Sequence, residues 1–493
     1  MMNWFRRLRA QTTQPSDDVI NRIFSINAHS RRSFAAANQD RLTANFLGTD
    51  RSINEELVRD LATMRRRARQ LAQDNDYSRR FLGMVKANVV GPNGITLQAR
   101  PRREDGSIDK LDANAIENAW ADWGKPANCT MNARLSWRDV QRLAIETVAR
   151  DGEVLVRIIK PRDRLTIGLH VIEADYLDET LNQKATKNRN EIRCGVEIST
   201  YGKPIAYFIR TGHPGDGIVQ FNGRQYQKIP ARQLIHLYIT ERPGQMRGTP
   251  WQHTAIRRLN MLGGYEEAEL VAARVAASKM GFFTSPDADG YSGSDTDSSG
   301  NLISDAEPGL FEQLPDGMSF QTFDPQHPVA AFSDFVRATL RGAASGLGVS
   351  YHTLSNDLEG VNYSSIRSGV LEEREHWKVL QTWFSEQFCE PVYQAWLNAI
   401  IGTRLLDLPA ANQQKFSSVV WQPRGWAWVD PLKDVQANAK AVELGVQTRA
   451  EIAAGSGRDL DDMLEQLAIE KARMDELGLG LNDELPKGGT DEN

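Results

Sequence analysis

Apolar residues return at three- and four-residue steps along most of this chain, and in one stretch they alternate instead. The helical spacing covers Glu55 to Gln73, rich in arginine (Arg65, Arg66, Arg67, Arg69), and Tyr77 to Val90, which Gly91-Pro92-Asn93-Gly94 ends. It resumes from Leu111 to Trp123 and after Ser136, where Ser136-Trp137-Arg138-Asp139 has the form of a capping box. Strand-like runs are expected at Glu153–Ile159, Leu169–Glu173, Gly195–Ser199, Ile205–Arg210 and Leu234–Ile239. Tyr201-Gly202-Lys203-Pro204 supplies the turn of a hairpin between the third and fourth.

The pattern then changes. Thr249-Pro250 has the chemistry of an N-cap followed by proline at the first helical position. A helix is expected from there to about Ser278, roughly 28 residues or ~42 Å long at 1.5 Å per residue. Its apolar stripe is thin: Ile256, Leu259, Leu262, then Leu270, Val271 and Val275, among many alanines. Such a helix suits close packing against equivalent helices. Residues 285–307, rich in Ser, Asp and Gly, read as a flexible insertion that cannot repay its ordering entropy. Pro325–Gly346 predicts a helix with Phe332, Phe335, Val336 and Leu340 on one side, and 348–363 reads as a loop. Ser364 to about Ile400 predicts a long helix with Ile366, Val370, Trp377, Leu380, Phe384, Phe388 and Val392 in line, bent by Pro391. Val419–Gln422 reads as a short strand, and Asp430 to Leu477 as helix interrupted near Gly455-Ser456-Gly457. The tail beyond Gly478 reads as disordered. The class expected from these elements is α+β, predominantly helical.

At 493 residues with 40% hydrophobic and 25% charged residues, the chain has the composition of a globular protein of several domains. The net charge of −5 counts against a protein that grips nucleic acid over its whole surface. The charge is uneven. Residues 1–103 carry 19 Lys/Arg against 9 Asp/Glu, whereas residues 459–493 carry 3 against 11. Solvated helix faces or different partners for the two ends both account for this. Cys129, Cys194 and Cys389 are far apart and odd in number, which predicts reduced buried thiols rather than a disulfide framework. No apolar run approaches the ~20 residues of a membrane span. The basic start, Met1 to Arg9, lacks the apolar segment of a secretory signal.

Catalytic motifs are missing from the sequence. It holds no GxxxxGK[ST] phosphate loop, no HExxH and no GxSxG. Glu372-Glu373-Arg374-Glu375-His376 places acids and a histidine on one helix, where a solvated surface is the expected reading over a metal site. Asp295-Thr296-Asp297-Ser298-Ser299-Gly300 matches the first half of a calcium loop, but position 12 is Ala306 and Glu307 falls one residue late. No metal and no cofactor are therefore expected.

Tyr351-His352-Thr353-Leu354-Ser355-Asn356-Asp357, followed by Asn362-Tyr363-Ser364-Ser365-Ile366-Arg367, resembles the signature of tailed-phage portal proteins of the lambda family. Arg247-Gly248-Thr249-Pro250-Trp251, Gly264-Tyr265-Glu266-Glu267-Ala268-Glu269-Leu270, Gly195-Val196-Glu197 with the Gly202-Lys203-Pro204 turn, and Val90-Gly91-Pro92-Asn93-Gly94 agree in order and spacing. The resemblance extends over about residues 25–475. It implies the portal fold: a ring, usually of twelve chains, at one capsid vertex, through which double-stranded DNA is packaged and ejected.

On that resemblance the chain divides into a basic N-terminal segment (1–24), wing (25–248), stem helix (249–278), clip with the insertion (279–324), second stem helix (325–347), tunnel loop (348–363), channel helix and return to the wing (364–429), crown (430–477) and acidic tail (478–493). It places Ser355, Asn356, Asp357, Leu358, Glu359, Gly360, Val361, Asn362 and Tyr363 at the channel. Asp287, Asp289, Asp295, Asp297 and Asp305 fall in the clip, where motor and connector dock. The implied partners are other copies of the chain, the terminase motor, head-completion and tail connector proteins, major capsid and scaffold proteins, and DNA bound without sequence specificity, with no membrane. The implied location is the virion, after assembly in host cytoplasm. Twelve chains at −5 each would sum to about −60, which favours passage of DNA over grip. A DNA-cleaving enzyme would need convergent carboxylates and a lysine that the sequence does not display, and a soluble helical adaptor would form no ring.

Overall fold

The computed structural model describes residues 41, 48, 50–216, 225–277, 281–284, 319–322, 331–359, 362–426, 431–456 and 458–477. By contacts the chain divides into two units, Met1–Ser52 and Ile53–Asn493. All the elements named below belong to the second.

The first three helices keep their expected places: α1 (Ile53–Asp74), α2 (Asp76–Val85) and, beyond strand β1 (Thr96–Ala99), α3 (Lys110–Trp123). Helix α2 runs into a widened turn, Lys86–Val90, closed where the Gly91 N–H reaches the Lys86 carbonyl at 3.0 Å. Helix α4 (Trp137–Asp151) starts on the anticipated box, with Ser136 and Asp139 each accepting the other's backbone N–H. It stops at Gly152, whose φ of 93° suits a residue without Cβ.

Strands β2 (Glu153–Ile159), β3 (Gly168–Ile172), β4 (Glu191–Arg193), β5 (Val196–Ile198), β6 (Pro204–Arg210), β7 (Tyr226–Pro230) and β8 (Leu234–Tyr238) form two antiparallel sheets, ordered β3-β2-β8 and β4-β5-β6-β7. β1, β4 and β7 were not expected from sequence, since polar residues dilute their alternation. The Gly202 turn does close the β5–β6 hairpin, at φ 80°.

Helix α5 (Ile256–Ala277) starts six residues later than Thr249-Pro250 suggested. Tertiary contacts override the local cap. The Trp251 N–H is taken by the Ala149 carbonyl at 3.1 Å, and a Cβ at Gly248 would lie 2.1 Å from the Gly152 carbonyl oxygen. The chain is pinned against the end of α4 and passes through turns before coiling.

A hairpin of β9 (Gly281–Thr284) and β10 (Ser319–Thr322) follows. Residues 285–307, the calcium-like stretch, the clip residues Asp287, Asp289, Asp295, Asp297 and Asp305, the segments 1–24 and 478–493, and 325–330 lie outside the described residues. Helix α6 (Phe332–Leu347) ends at Gly348 with φ 69°. The expected loop after it contains a short helix, α7 (Tyr351–Ser355), because Ser350 caps it by accepting the Thr353 N–H.

The long helix that follows is two, α8 (Tyr363–Phe384) and α9 (Glu390–Thr403). Their junction is a widened turn, Ser385–Cys389, in which the Glu390 N–H reaches the Ser385 carbonyl. The anticipated irregularity therefore falls one turn before Pro391, where the ladder adjusts to a residue that has no N–H to donate. Strand β11 (Val419–Gln422) pairs with β1. The last region breaks twice rather than once, into α10 (Pro431–Glu443), α11 (Arg449–Gly455) and α12 (Leu460–Glu476).

The main core joins α1–α4 to α8 and α9. Trp120 sits at its centre, with ring centroids 5.2 Å from Trp396 and 5.6 Å from Tyr393, while Trp137 stacks on Phe388 at 5.3 Å. All three cysteines are buried and unpaired. A second core lies around Leu177, Val196, Tyr207 and Ile229.

Between the cores runs a buried ion network. Glu153, fully buried, accepts Arg247 Nε at 2.9 Å, Arg65 Nη2 at 2.8 Å, His236 Nε2 at 2.9 Å and the Gly248 N–H at 3.1 Å. Arg247 also donates to the carbonyls of Leu177 and Ala174. Asp151, at the end of α4, takes Arg69 and Arg150 at 2.9 and 2.8 Å. Two arginines of the basic stretch in α1 are thus structural, and they fix α1, β2 and the entry to α5 together.

Candidate functional site

The segment expected to face a channel hangs between α6 and α8, and its geometry is set from both sides. Ser350 caps α7, and its own N–H donates to Glu373 of α8 at 3.2 Å. Thr353 Oγ1 and Trp377 Nε1 donate to the same carboxylate at 2.6 and 3.1 Å. Arg80 of α2 donates to the Thr353 carbonyl at 3.2 Å, and Arg341 of α6 lies over the Tyr351 ring, 5.4 Å from its centroid. The helix is therefore fastened to three neighbours, which differs from a connection free to move against both.

Ser355 ends α7, donating to the Tyr351 carbonyl at 2.8 Å and accepting the Asp357 N–H at 3.2 Å. Asn356 turns the chain in the left-handed region at φ 56°, a conformation that asparagine tolerates better than most side chains. Asp357 accepts the Tyr351 hydroxyl at 2.7 Å and the Glu359 N–H at 3.0 Å, and pairs with Arg337 of α6 at 3.3 Å. Arg337 also contacts Glu359. Leu358 is exposed, Asn362 is exposed, and Tyr363 opens α8. Gly360 and Val361 lie outside the described residues.

The hydrogen bond from Tyr351, with the Glu359 N–H and Arg337, holds the Asp357 carboxyl below its ordinary range. Burial, reinforced by that acceptor, raises the Tyr351 hydroxyl. Both groups stay in the states that keep the turn closed at neutral pH. The two acids share one arginine, so the described turn with Arg337 carries one net negative charge rather than two.

Sequence reasoning missed Arg337, Arg341, Arg80 and Glu373. For Glu373 a signal existed. It stands on the apolar stripe of α8, three residues after Val370 and four before Trp377, where an acid must find partners. The arginines gave none, because each reaches the segment from another element.

The acids and histidine at 372–376 do not converge. Glu373 points into the bonds above, while Glu372 and Glu375 are exposed. Among the described residues, Glu173, Asp175 and His213 bring their ligand atoms within 4.8 Å of one another. The set does not suit a cation. Asp175 is taken by Arg69 at 2.5 Å and Arg65 at 3.4 Å. His213 Nδ1 accepts the Gly215 N–H at 3.1 Å, which leaves the ring proton of the neutral imidazole on Nε2, facing Glu173.

Among the described residues no helix is long and apolar enough to cross a membrane. The sequence model described as "Phage portal protein, lambda family" matches residues 39–381. The chain is 36% identical over 455 residues to the "Probable portal protein" of Halomonas phage phiHAP-1, covering 91% of this chain and 88% of that one. It is 21% identical over 476 residues to "Portal protein B" of Escherichia phage lambda, covering 87% of each. Among solved structures, the "Neck of empty GTA particle" aligns with a TM-score of 0.45 at 14% identity, over 85% of this chain and 98% of that one.

Proposed function

This chain belongs to the lambda family of phage portal proteins, and from that premise we propose that twelve copies close into a ring at one capsid vertex, whose channel passes double-stranded DNA during packaging and ejection. In this reading α5 and α6 are the stem helices, 25–248 the wing, 279–324 the clip, 348–363 the tunnel loop, 364–429 the channel helix and return, and 430–477 the crown. The role is structural, and the energy for packaging comes from a separate motor. Motor and tail connector dock at the clip, capsid and scaffold proteins surround the wing, and the finished ring resides in the virion after assembly in host cytoplasm.

The observation that carries the ring is on α5. Its first turns bury Ile256, Leu259 and Leu262, but Met261, Leu270 and Val271 are 63%, 68% and 52% exposed in the single chain. Met261 and Leu270, nine residues and half a circumference apart, leave apolar side chains on both sides of the helix, as suits one flanked by a neighbouring copy on each side. Negative-stain microscopy of the purified protein tests this. Rings with a central hole are expected, and a compact monomer at every salt concentration would end the proposal.

The channel role of the turn is tested by changing Asp357 and Glu359 together to Lys. Three cations with Arg337 would then face phosphates and hold them. Rings and procapsids should form while DNA packaging or retention falls. Normal packaging would remove these residues from the channel.

A further inference from the structure

One face of the molecule holds a groove of about 670 Å³ between the C-terminal half of α1 and the first turns of α5, lined by Arg67, Asp74, Arg257, Met261, Gly264 and Glu267 among others. The two helices run in the same direction along it: Asn54, at the start of α1, donates to the Gly244 carbonyl and accepts the Met246 N–H, both ahead of α5, whereas Asn75, just past the end of α1, lies 3.8 Å from where a Cβ of Gly263 inside α5 would be. The groove is therefore polar lengthwise. Arg67 and Arg257 mark one end, Asp74 and Glu267 the other. Met261 stands exposed between them, and a Cβ on Gly264 would meet nothing within 4 Å.

A second face has the opposite polarity. On α8, Leu371, Glu372, Glu375, Lys378 and Val379 lie on the side of the helix away from Glu373, Trp377, Leu380 and Phe384, and all five are exposed. Reading along the helix, the acids come first and the lysine after them. Leu371 and Val379 are 43% and 67% exposed. Lys378 pairs with Glu375 at 2.6 Å, an exposed intrahelical contact of the kind that contributes little and exchanges readily.

The two faces are carried by different helices of one connected set. α1 adjoins α5 along the groove. α5 meets α6 where Tyr265 and Phe335 rings come within 4.9 Å, α6 meets α7 through Arg341 and Tyr351, and α7 is bonded to α8 through Thr353 and Glu373 at 2.6 Å. A head-to-tail ring needs two different, complementary faces on one chain.

Resting on the ring reading above, we propose that the exposed face of α8 seats in the α1–α5 groove of the adjacent copy, running parallel to both helices. Glu375 meets Arg257 there, and four residues further along each helix Val379 meets Met261. The equal spacing, one helical turn of ~6 Å on each side, allows both contacts at once. Lys378 then reaches toward the acidic end of the groove.

Met261→Cys combined with Val379→Cys is the direct test, because the three natural cysteines are buried. After mild oxidation of assembled rings, denaturing electrophoresis without reductant should show a ladder rising to the full ring, and neither single variant should show it. Intact rings by native mass measurement that yield no ladder would overturn this contact while leaving the ring reading standing. Absence of rings in the unaltered protein would overturn both. A second pair works without cysteine. Arg257→Glu should raise the concentration needed for assembly at least about tenfold by setting like charges together, and adding Glu375→Arg should restore it. Failure of that restoration in folded chains would count against the register.

Discussion

The sheet-bearing body and the C-terminal helices are built on opposite terms. In the body, Glu153, Arg247 and Arg65 are buried charges that satisfy one another, and rings such as Trp120, Trp396 and Tyr393 pack against each other in the main core. Over residues 431–477, Ala453 and Asp459 are the buried residues among those described, while Leu432, Leu444, Leu467 and Ile469 are 69%, 68%, 55% and 69% exposed. The ties from α12 and its approach to the body include Arg100–Asp459 at 3.4 Å and Lys110–Glu465 at 3.1 Å. Exposed pairs of the second kind are worth ~0–1 kcal/mol. One region satisfies its charges and apolar groups within a single chain; the other leaves apolar side chains exposed there.

The contrast breaks first at Arg247. Arg247→Met removes one partner of a buried charge pair and its donors to two carbonyls, so it should cost ~3–5 kcal/mol. Against a typical total of ~5–15 kcal/mol, urea unfolding should then begin at much lower concentration or the chain should fail to accumulate.

Acid probes the same network more gently. Burial alone would raise the Glu153 carboxyl, but Arg247 and His236 outweigh it and hold the group well below its ordinary range. A depressed carboxyl contributes fully above the unfolded value of about 4.3 and loses that contribution as pH falls through the lower folded value. Stability of the body should therefore drop below pH ~4, and Glu153→Gln, though weaker at neutral pH, should flatten that slope. An equal acid slope in both proteins would mean other carboxylates govern it.

Glu373→Gln should loosen α7 by ~1–2 kcal/mol, since an amide accepts fewer of the three donors than a carboxylate does. Faster amide exchange at 350–355 with unchanged exchange in β2 is the expected signature. Leu464→Ser with Leu467→Ser should have the smallest effect on the isolated chain, within ~0.5 kcal/mol for each exposed position. Assembly should weaken more than folding does. A large loss of monomer stability would show that α12 packs within its own chain.

Most elements were legible because their residues speak locally. The Ser136–Asp139 box, the Gly202 turn and the apolar run of β2 each act over a few residues, and each stands as the sequence suggested. Where distant residues decided, the sequence misled. Thr249-Pro250 is a sound start signal that the Ala149 carbonyl and the Gly152–Gly248 contact overrule. At the candidate site, the signature located Asp357 and Glu359, but the arginine that pairs with both, Arg337, stands some twenty residues back, and the rigidity of α7 depends on Glu373 and Arg80.

The sequence by itself determined the family, the helical and strand periods and the positions of the turns, because those follow from neighbours along the chain. Tertiary structure alone decided which arginines of α1 are buried, where α5 begins and which acids are neutralised. A charge is stabilised by whatever group the fold brings within about 3 Å, and no short-range pattern encodes a partner a hundred residues away.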